Sequence, residues 1–454
     1  MVDTPIDHPR RIAAALPPYM AFGVRYGGGL GFFLILAPAI GPRGYGLFLL
    51  ALSGVAVFAA LPAKTATHVL AAMPDLDDRH WSTALVTLMI AGIVAGLTIS
   101  GLAGAVAPMV DDPGFSDMFR SLAALPLLEA LAAVPRAALH REGRTTALAV
   151  ADATGLAAGG AVAVSLAWSG AGAWSLVAQV VIQRLVECIV LWGLPGARIG
   201  IAWSPRHFAG LLRAVDGPAL APSMPVLRRF GPCLAIGLVL GPTAAALYML
   251  AAWLSEGTGE FLRASAPNLR TGDIPRYVYG VALPVVLTSA ELTIALPPLL
   301  DLRWWGAVAP AQILLLAVLI PPRGQSPSSY CLAAQTLGAV AVTALTAPLG
   351  LTAVATAAVL WTALAAGVGL SPAGQPWGEA WRGVVRDAAR PCLGAAGAGA
   401  LLLVLAEPVG LRLAPLPALC LLTGIGWLVF LVIRGEPARP RRAAPSPVEA
   451  VSRT

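Results

Sequence analysis

Long apolar stretches separated by short polar linkers run through the chain, at about 17–40, 45–71, 82–109, 117–137, 146–168, 171–195, 215–240, 243–262, 277–300, 305–321, 330–349, 351–370, 392–409 and 414–433. Each is near the roughly 20 residues a helix needs to cross a hydrocarbon layer. Only helices and closed barrels satisfy their backbone in lipid, and these runs do not alternate as barrel strands do. The pattern predicts an all-α, polytopic membrane helix bundle of about 14 transmembrane helices. From Pro437 onward, Pro, Ala, Ser and Arg replace the apolar runs, which predicts a disordered tail over 436–454.

Composition agrees with that pattern. Hydrophobic residues make up 57% of the 454 and charged residues 12%, with a mean hydropathy of +0.78. A soluble fold would have too little polar surface to cover itself. A net charge of +7 would point a soluble chain toward nucleic acid, but here most arginines fall in short linkers. Lys64 is the single lysine among 30 basic side chains, a bias expected of an arginine-preferring, GC-rich genome. The 5 cysteines show no CxxC spacing and read as packing residues. The 5 histidines (His8, His68, His80, His140 and His207) are dispersed near linkers and indicate no metal or cofactor site. Pro9-Arg10-Arg11 leads into an apolar run that carries its own arginine, so no cleavable signal peptide is expected.

Arginine collects in alternate linkers, around Arg79, Arg136 with Arg141, Arg198 with Arg206 and Arg213, Arg263 to Arg276, Arg323, and Arg382 to Arg390. Those linkers are predicted cytoplasmic, together with both termini. The other linkers hold isolated cations (Arg43, Arg120, Arg303 and Arg412) and the acidic run Asp111-Asp112 to Asp117. Before the thirteenth segment, Trp377, Trp381, Val384 and Ala388 repeat at helical spacing, with Arg382, Arg386 and Arg390 on another face. An interfacial helix on an anionic leaflet fits that spacing.

An internal repeat is also present. Gly41-Pro42, Leu47, Phe48, Leu50 and Ala51 correspond to Gly241-Pro242, Leu247, Tyr248, Leu250 and Ala251 at a constant offset of 200 residues. Six helices lie between the copies, and an even number makes them parallel. The expected plan is two parallel six-helix lobes, 1–200 and 201–371, with a site between them. An interfacial helix and two further transmembrane helices follow over 372–435.

The candidate chemistry is cationic. Arg25 falls near the middle of the first stretch, and Arg228 with Arg229 near the middle of its counterpart. An arginine at a helix centre costs roughly 2.5–3.5 kcal/mol and cannot shed its charge, so a hydrated cavity that receives an anion is expected. Planar forked donors suit phosphate. Arg25, Arg228 and Arg229 are the expected phosphate clamp, with Arg184 and Lys64 as secondary members. Glu129, Asp152, Glu187, Glu256 and Glu291 are candidates for proton or sodium coupling, or for neutralising those arginines. The alternative for Arg228 or Arg229 is a carboxylate partner such as Glu129, Glu187 or Glu291. No Gly-rich phosphate loop with Lys occurs, so ATP hydrolysis by this chain is not expected.

Three stretches bear a family likeness: Ala39-Ile40-Gly41-Pro42-Arg43-Gly44-Tyr45-Gly46-Leu47, Gly170 to Val177, and Leu240-Gly241-Pro242 through Tyr248. With Pro135-Arg136 and Arg141, the chain over about 17–275 resembles polysaccharide flippases of the Wzx type, in the multidrug/oligosaccharidyl-lipid/polysaccharide exporter superfamily. That resemblance implies a transporter rather than an enzyme, located in a bacterial inner membrane. It would move a polyprenyl-diphosphate-linked oligosaccharide between leaflets for surface polysaccharide biosynthesis such as lipopolysaccharide or exopolysaccharide. Membrane lipid, a polysaccharide polymerase and chain-length proteins are the partners it implies, and helices thirteen and fourteen resemble the lipid-groove pair of the peptidoglycan lipid flippase branch. The first stretch lacks the acidic site common in drug-extruding relatives.

Two other readings compete. An ion-coupled small-molecule or drug antiporter shares the architecture, although Met73-Pro74-Asp75-Leu76-Asp77-Asp78-Arg79-His80 does not match the facilitator loop signature. A membrane-embedded glycosyltransferase or polymerase would need a sizeable outside domain, and the acidic loop at Asp111 to Asp117 is too short to build one.

Overall fold

In a computed structural model, the described residues are 29–110, 112–194, 200–215, 221–265, 300–319 and 329–370. Arg25, the ninth apolar stretch with Glu291, the interfacial helix expected around Trp377, the last two apolar stretches and the tail lie outside them.

The first helical run, Gly29–Ala72, is broken at Gly41, whose φ of 74° and ψ of 167° are open to glycine and almost nothing else. Phe33 and Tyr45 have ring centroids only 4.9 Å apart. Twelve residues of straight helix would separate them by about 18 Å. The run therefore doubles back into two antiparallel arms, α1 (29–40) and α2 (42–72), with Pro42 opening α2, where a missing N–H costs nothing. Then come α3 (Asp78–Val106), α4 (Phe115–Arg141), α5 (Thr145–Trp168) and α6 (Trp174–Gly193). A short helix α7 (Pro205–Arg213) precedes α8 (Met224–Leu240) and α9 (Pro242–Ser265). A tight helical turn, Leu302–Ala307, leads into α10 (Val308–Leu315), followed by α11 (Ser329–Thr346) and α12 (Leu351–Leu370). The described residues contain no strand, and 7 of their helical runs are long and apolar enough to cross a membrane.

Among the described residues the apolar stretches overlap these helices, with α8 starting nine residues after the seventh stretch does, and with two further differences. The fourth stretch continues as helix to Arg141, so Arg136 lies inside α4 and not in a linker. The linker between the sixth and seventh stretches contains α7, whose apolar residues are spaced at helical period over too few turns to be noticed in a membrane sequence.

One group of helices is formed by α3 to α6 packed with α2, another by α8 to α12, and contact between the groups runs through the Gly29–Ala72 run against α8 and α9. The repeated residues account for this. Leu47, Phe48, Leu50 and Ala51 are buried in the same core as Tyr248, Leu250 and Ala251, with Leu247 packed against it. Gly241, with φ 90° and ψ 169°, reproduces the backbone of Gly41. Gly46 lies against the Pro242 carbonyl, where any Cβ would collide. The two hairpin turns are thus packed on each other, and the repeat in the sequence is the self-complementary seam of the fold.

Contacts sort the linkers onto two ends. At one end, Arg141 donates to the carbonyls of Met73 and Pro74, and the His80 and His207 rings lie 4.5 Å apart. At the other, Arg43 meets Asp112 at 3.9 Å and Arg303 donates to the Pro38 carbonyl at 3.1 Å. The first set is the arginine-rich one. Along α3, Ile90, Ile93, Val94 and Leu97 are exposed, as a lipid-facing surface requires. Trp168, Trp174 and Trp305 are exposed at the second end, and Trp192 and Trp203 at the first, as aromatic belts at two interfaces.

Candidate functional site

Charges inside the bundle concentrate in the half nearer the arginine-rich end. In the first helix group, Glu187 of α6 is 2% exposed. One of its carboxylate oxygens meets Arg136 of α4, and the other accepts from Arg184 at 2.8 Å. Arg184 also reaches Glu129 at 3.1 Å, and Arg136 reaches Asp152 of α5 at 3.0 Å. The result is an alternating chain, Asp152–Arg136–Glu187–Arg184–Glu129, with one formal negative charge in excess.

Local sequence explains the convergence. Glu129 and Arg136 are seven residues apart on one face of α4, and Arg184 and Glu187 three apart on α6. Gly155 and Gly159, a GxxxG pair, bring α5 onto α6. A Cβ on Gly155 would lie 2.7 Å from the Gln183 carbonyl and 3.2 Å from the Glu187 side chain. The network is therefore locked by backbone contact. Removing the buried Glu187 would leave two guanidinium groups without their shared partner, costing roughly 3–5 kcal/mol.

In the second group, Arg228 of α8 is exposed and faces Glu256 of α9 at 3.8 Å. Arg229 is half-buried and makes no ion pair among the described residues. On the facing α2, Lys64 is exposed, and its neighbour Thr65 shares a 3.0 Å hydrogen bond with Ser223, both buried. Ser223 also donates to the Leu61 carbonyl at 3.2 Å. At 1.5 Å of rise per residue, Lys64, Arg136, Glu187, Arg228 and Glu256 lie about 6–14 Å in from the arginine-rich ends of their helices. Charge thus falls in the same half of the helices in both groups.

The opposite end is closed by apolar contact. Phe33, Tyr45, Trp253 and Trp304 form an edge-to-face cluster, with Phe33 centroids 5.8 Å from Trp253 and 5.1 Å from Trp304. Trp304 is fully buried. Arg303 braces this end from outside the span, 2.8 Å from Asp301, and holds the Asp301 carboxyl below its ordinary range.

Of the residues expected from sequence, Arg184, Glu129, Asp152 and Glu187 come together with one another, and Arg228 with Glu256. Glu129 and Glu187 are partners of Arg184 and Arg136, not of Arg228 or Arg229. Arg25 and Glu291 lie outside the described residues. Arg136 is the residue that sequence reading placed in a linker as a topology signal. The signal available for it was the Pro135-Arg136 pair.

Among solved structures, the fold is similar to lipid II flippase MurJ in an inward closed conformation, with TM-score 0.65 and 8% identity, covering 93% of this chain and 98% of that one. It is also similar to the inward-facing conformation of a multidrug resistance MATE family transporter of the MOP superfamily, with TM-score 0.54 and 15% identity, covering 82% of this chain and 95% of that one. At these identities the likeness is one of fold. The comparison with curated proteins gives no match. Residues 35–265, just over half of the 454, match a family described as polysaccharide biosynthesis protein. They span both Gly-Pro turns, the buried charge network and the Arg228–Glu256 pair, and on that match the chain belongs to the polysaccharide biosynthesis protein family.

Proposed function

We propose that this protein is a flippase that carries a polyprenyl-diphosphate-linked oligosaccharide across the membrane for surface polysaccharide synthesis, acting by alternating access and without catalysis. The observation that supports this most is that Arg228, Arg229 and Lys64 lie on α8 and α2, two helices that pack across the junction of the groups beside the Thr65–Ser223 contact. A diphosphate leaving the headgroup layer needs fixed cations, and a guanidinium supplies them at any pH the cell reaches. Family membership and a fold shared with a protein named as a lipid II flippase support the lipid-linked substrate.

In this reading the lobes are 1–200 and 201–371, the region 372–435 adds the interfacial helix and two further helices, and both termini face the cytoplasm of a bacterial cell. Arg25 joins Arg228 and Arg229 to form the clamp. Arg184 is committed to Glu129 and Glu187, so it sets the field of the chamber and does not grip the phosphate itself. Glu256, opposite Arg228, is the carboxylate placed to exchange partners when the diphosphate arrives. Replacing Arg25 with Ala should abolish surface polysaccharide in cells while leaving protein abundance unchanged; normal polysaccharide would remove it from the clamp.

The second reading, an ion-coupled antiporter of small molecules, is favoured by the likeness to a multidrug transporter fold and by three carboxylates in one network, with Glu187 buried at its centre. Reconstituted vesicles distinguish the two. Transbilayer movement of a labelled polyprenyl-diphosphate sugar without efflux of cationic dyes supports the flippase; dye efflux coupled to a proton or sodium gradient, with no lipid movement, supports the antiporter.

A further inference from the structure

The linker helix α7 and the start of α3 build a cluster that transport does not use. Asp77 is the N-cap of α3, and its carboxylate accepts from the His80 backbone N–H at 2.9 Å. The same carboxylate lies 2.7 Å from His80 Nδ1. These contacts by themselves are an ordinary capping box with histidine at its third position. The second imidazole, His207, comes from 127 residues further along the chain. Ser204 Oγ engages its Nδ1 at 2.8 Å, which turns Nε2 toward the other Asp77 oxygen at 3.3 Å. A cap has no need of that second ring. An imidazole oriented through one nitrogen so that the other faces a carboxylate-bearing site is the usual arrangement around a metal ligand.

The three ligating atoms lie within 4.8 Å of one another. Both rings are largely shielded, at 18% and 17% side-chain exposure, while Asp77 at 58% leaves one side open to solvent. Among the described residues no arginine pairs with Asp77, so no fixed cation competes for its oxygens. Two neutral nitrogens and one carboxylate oxygen at about 2.0–2.2 Å from a common centre, with water in the fourth position, form a tetrahedral zinc-type set.

We propose that Asp77, His80 and His207 bind one divalent transition-metal ion, Zn2+ by donor type. The ion staples α7 to the N-terminal end of α3 and thereby fixes the connection between α6 and α8. The dispersal of the histidines along the sequence hid this site, because the fold alone brings His80 to His207. The inference is independent of what the protein transports.

The test uses the full-length protein, purified without a polyhistidine tag in detergent and stripped with chelator, titrated with Co2+ and then with Zn2+ in competition. Wild type should bind one equivalent, with the visible absorption of tetrahedral Co2+ that Zn2+ abolishes. His207→Ala and His80→Gln should each weaken binding by at least tenfold, and Ser204→Ala by about tenfold through loss of ring orientation. The double variant His80→Gln with His207→Gln sets the background from His8, His68 and His140. Thermal unfolding without metal should be the same in wild type and variants, which separates ligation from folding. Wild-type binding no tighter than the double variant, or His207→Ala retaining full stoichiometry and affinity, would overturn the site.

Discussion

Glu187 is where the physical cost in this molecule is concentrated. A carboxylate 2% exposed inside an apolar bundle is tolerable only because two guanidinium groups meet its two oxygens. Replacing it with Ala strands Arg136 and Arg184, and the protein should lose roughly 3–5 kcal/mol, read as a fall in thermal unfolding temperature in micelles. Adding Arg136→Met to that variant should recover part of the loss, because one stranded charge is removed; a double variant less stable than Glu187→Ala would show that Arg136 has other work. The sequence singled out Glu187, Glu129 and Asp152 as coupling or neutralising carboxylates and Arg184 as a secondary clamp residue, since ionisable residues in apolar runs are conspicuous. It did not identify their pairing. Side-chain partners depend on which helix faces meet, and Arg136, five residues from the end of its helix, is by sequence indistinguishable from a residue that reaches the headgroups.

At the scale of elements, the turns carry the information. Gly41, Gly241 and Gly350 share one backbone conformation, with φ of 74°, 90° and 100° and ψ near the extended value in each. Alanine at any of the three should cost roughly 1–3 kcal/mol, measured by thermal unfolding, because a Cβ is excluded from that region. Alanine at exposed Gly101, which has open space around it and lies in mid-helix, should be neutral or slightly stabilising and serves as the control. The first two turns were legible because Gly-Pro announces them and the flanking residues repeat. The third was not, since Pro348 precedes its glycine and the register of the repeat is lost there. Among the described residues the long helices were legible, because lipid demands runs of about 20 apolar residues whatever the tertiary packing. The short α7 has no such demand on it and left no trace in the hydropathy.

For the whole molecule, the two helix groups touch at both ends of their seam. The Gly-Pro turns and the Phe33, Tyr45, Trp253 and Trp304 cluster close one end. The Thr65–Ser223 contact bridges the groups at the other, 3.0 Å between hydroxyl oxygens. Alternating access requires one of these contacts to part at a time. Cysteines in place of Thr65 and Ser223, in a background with the native cysteines replaced, should form an intramolecular cross-link on oxidation. Transport should then fall to the level of empty vesicles and return on reduction. Full transport by the cross-linked protein would mean that this contact does not open. The seam was readable from the repeat because Leu47, Phe48, Leu50 and Ala51 and their counterparts pack into one core. Which ends are closed was not, since that depends on which of several packings of the same two groups is the more stable.

Transbilayer movement of a labelled polyprenyl-diphosphate oligosaccharide, in vesicles holding wild type or the Arg228→Ala, Arg229→Ala double variant, tests the cationic clamp most directly. Wild type should move the lipid, and the folded double variant should do so at least tenfold more slowly at equal protein. Equal rates in the two, or no movement by folded wild type, would contradict it.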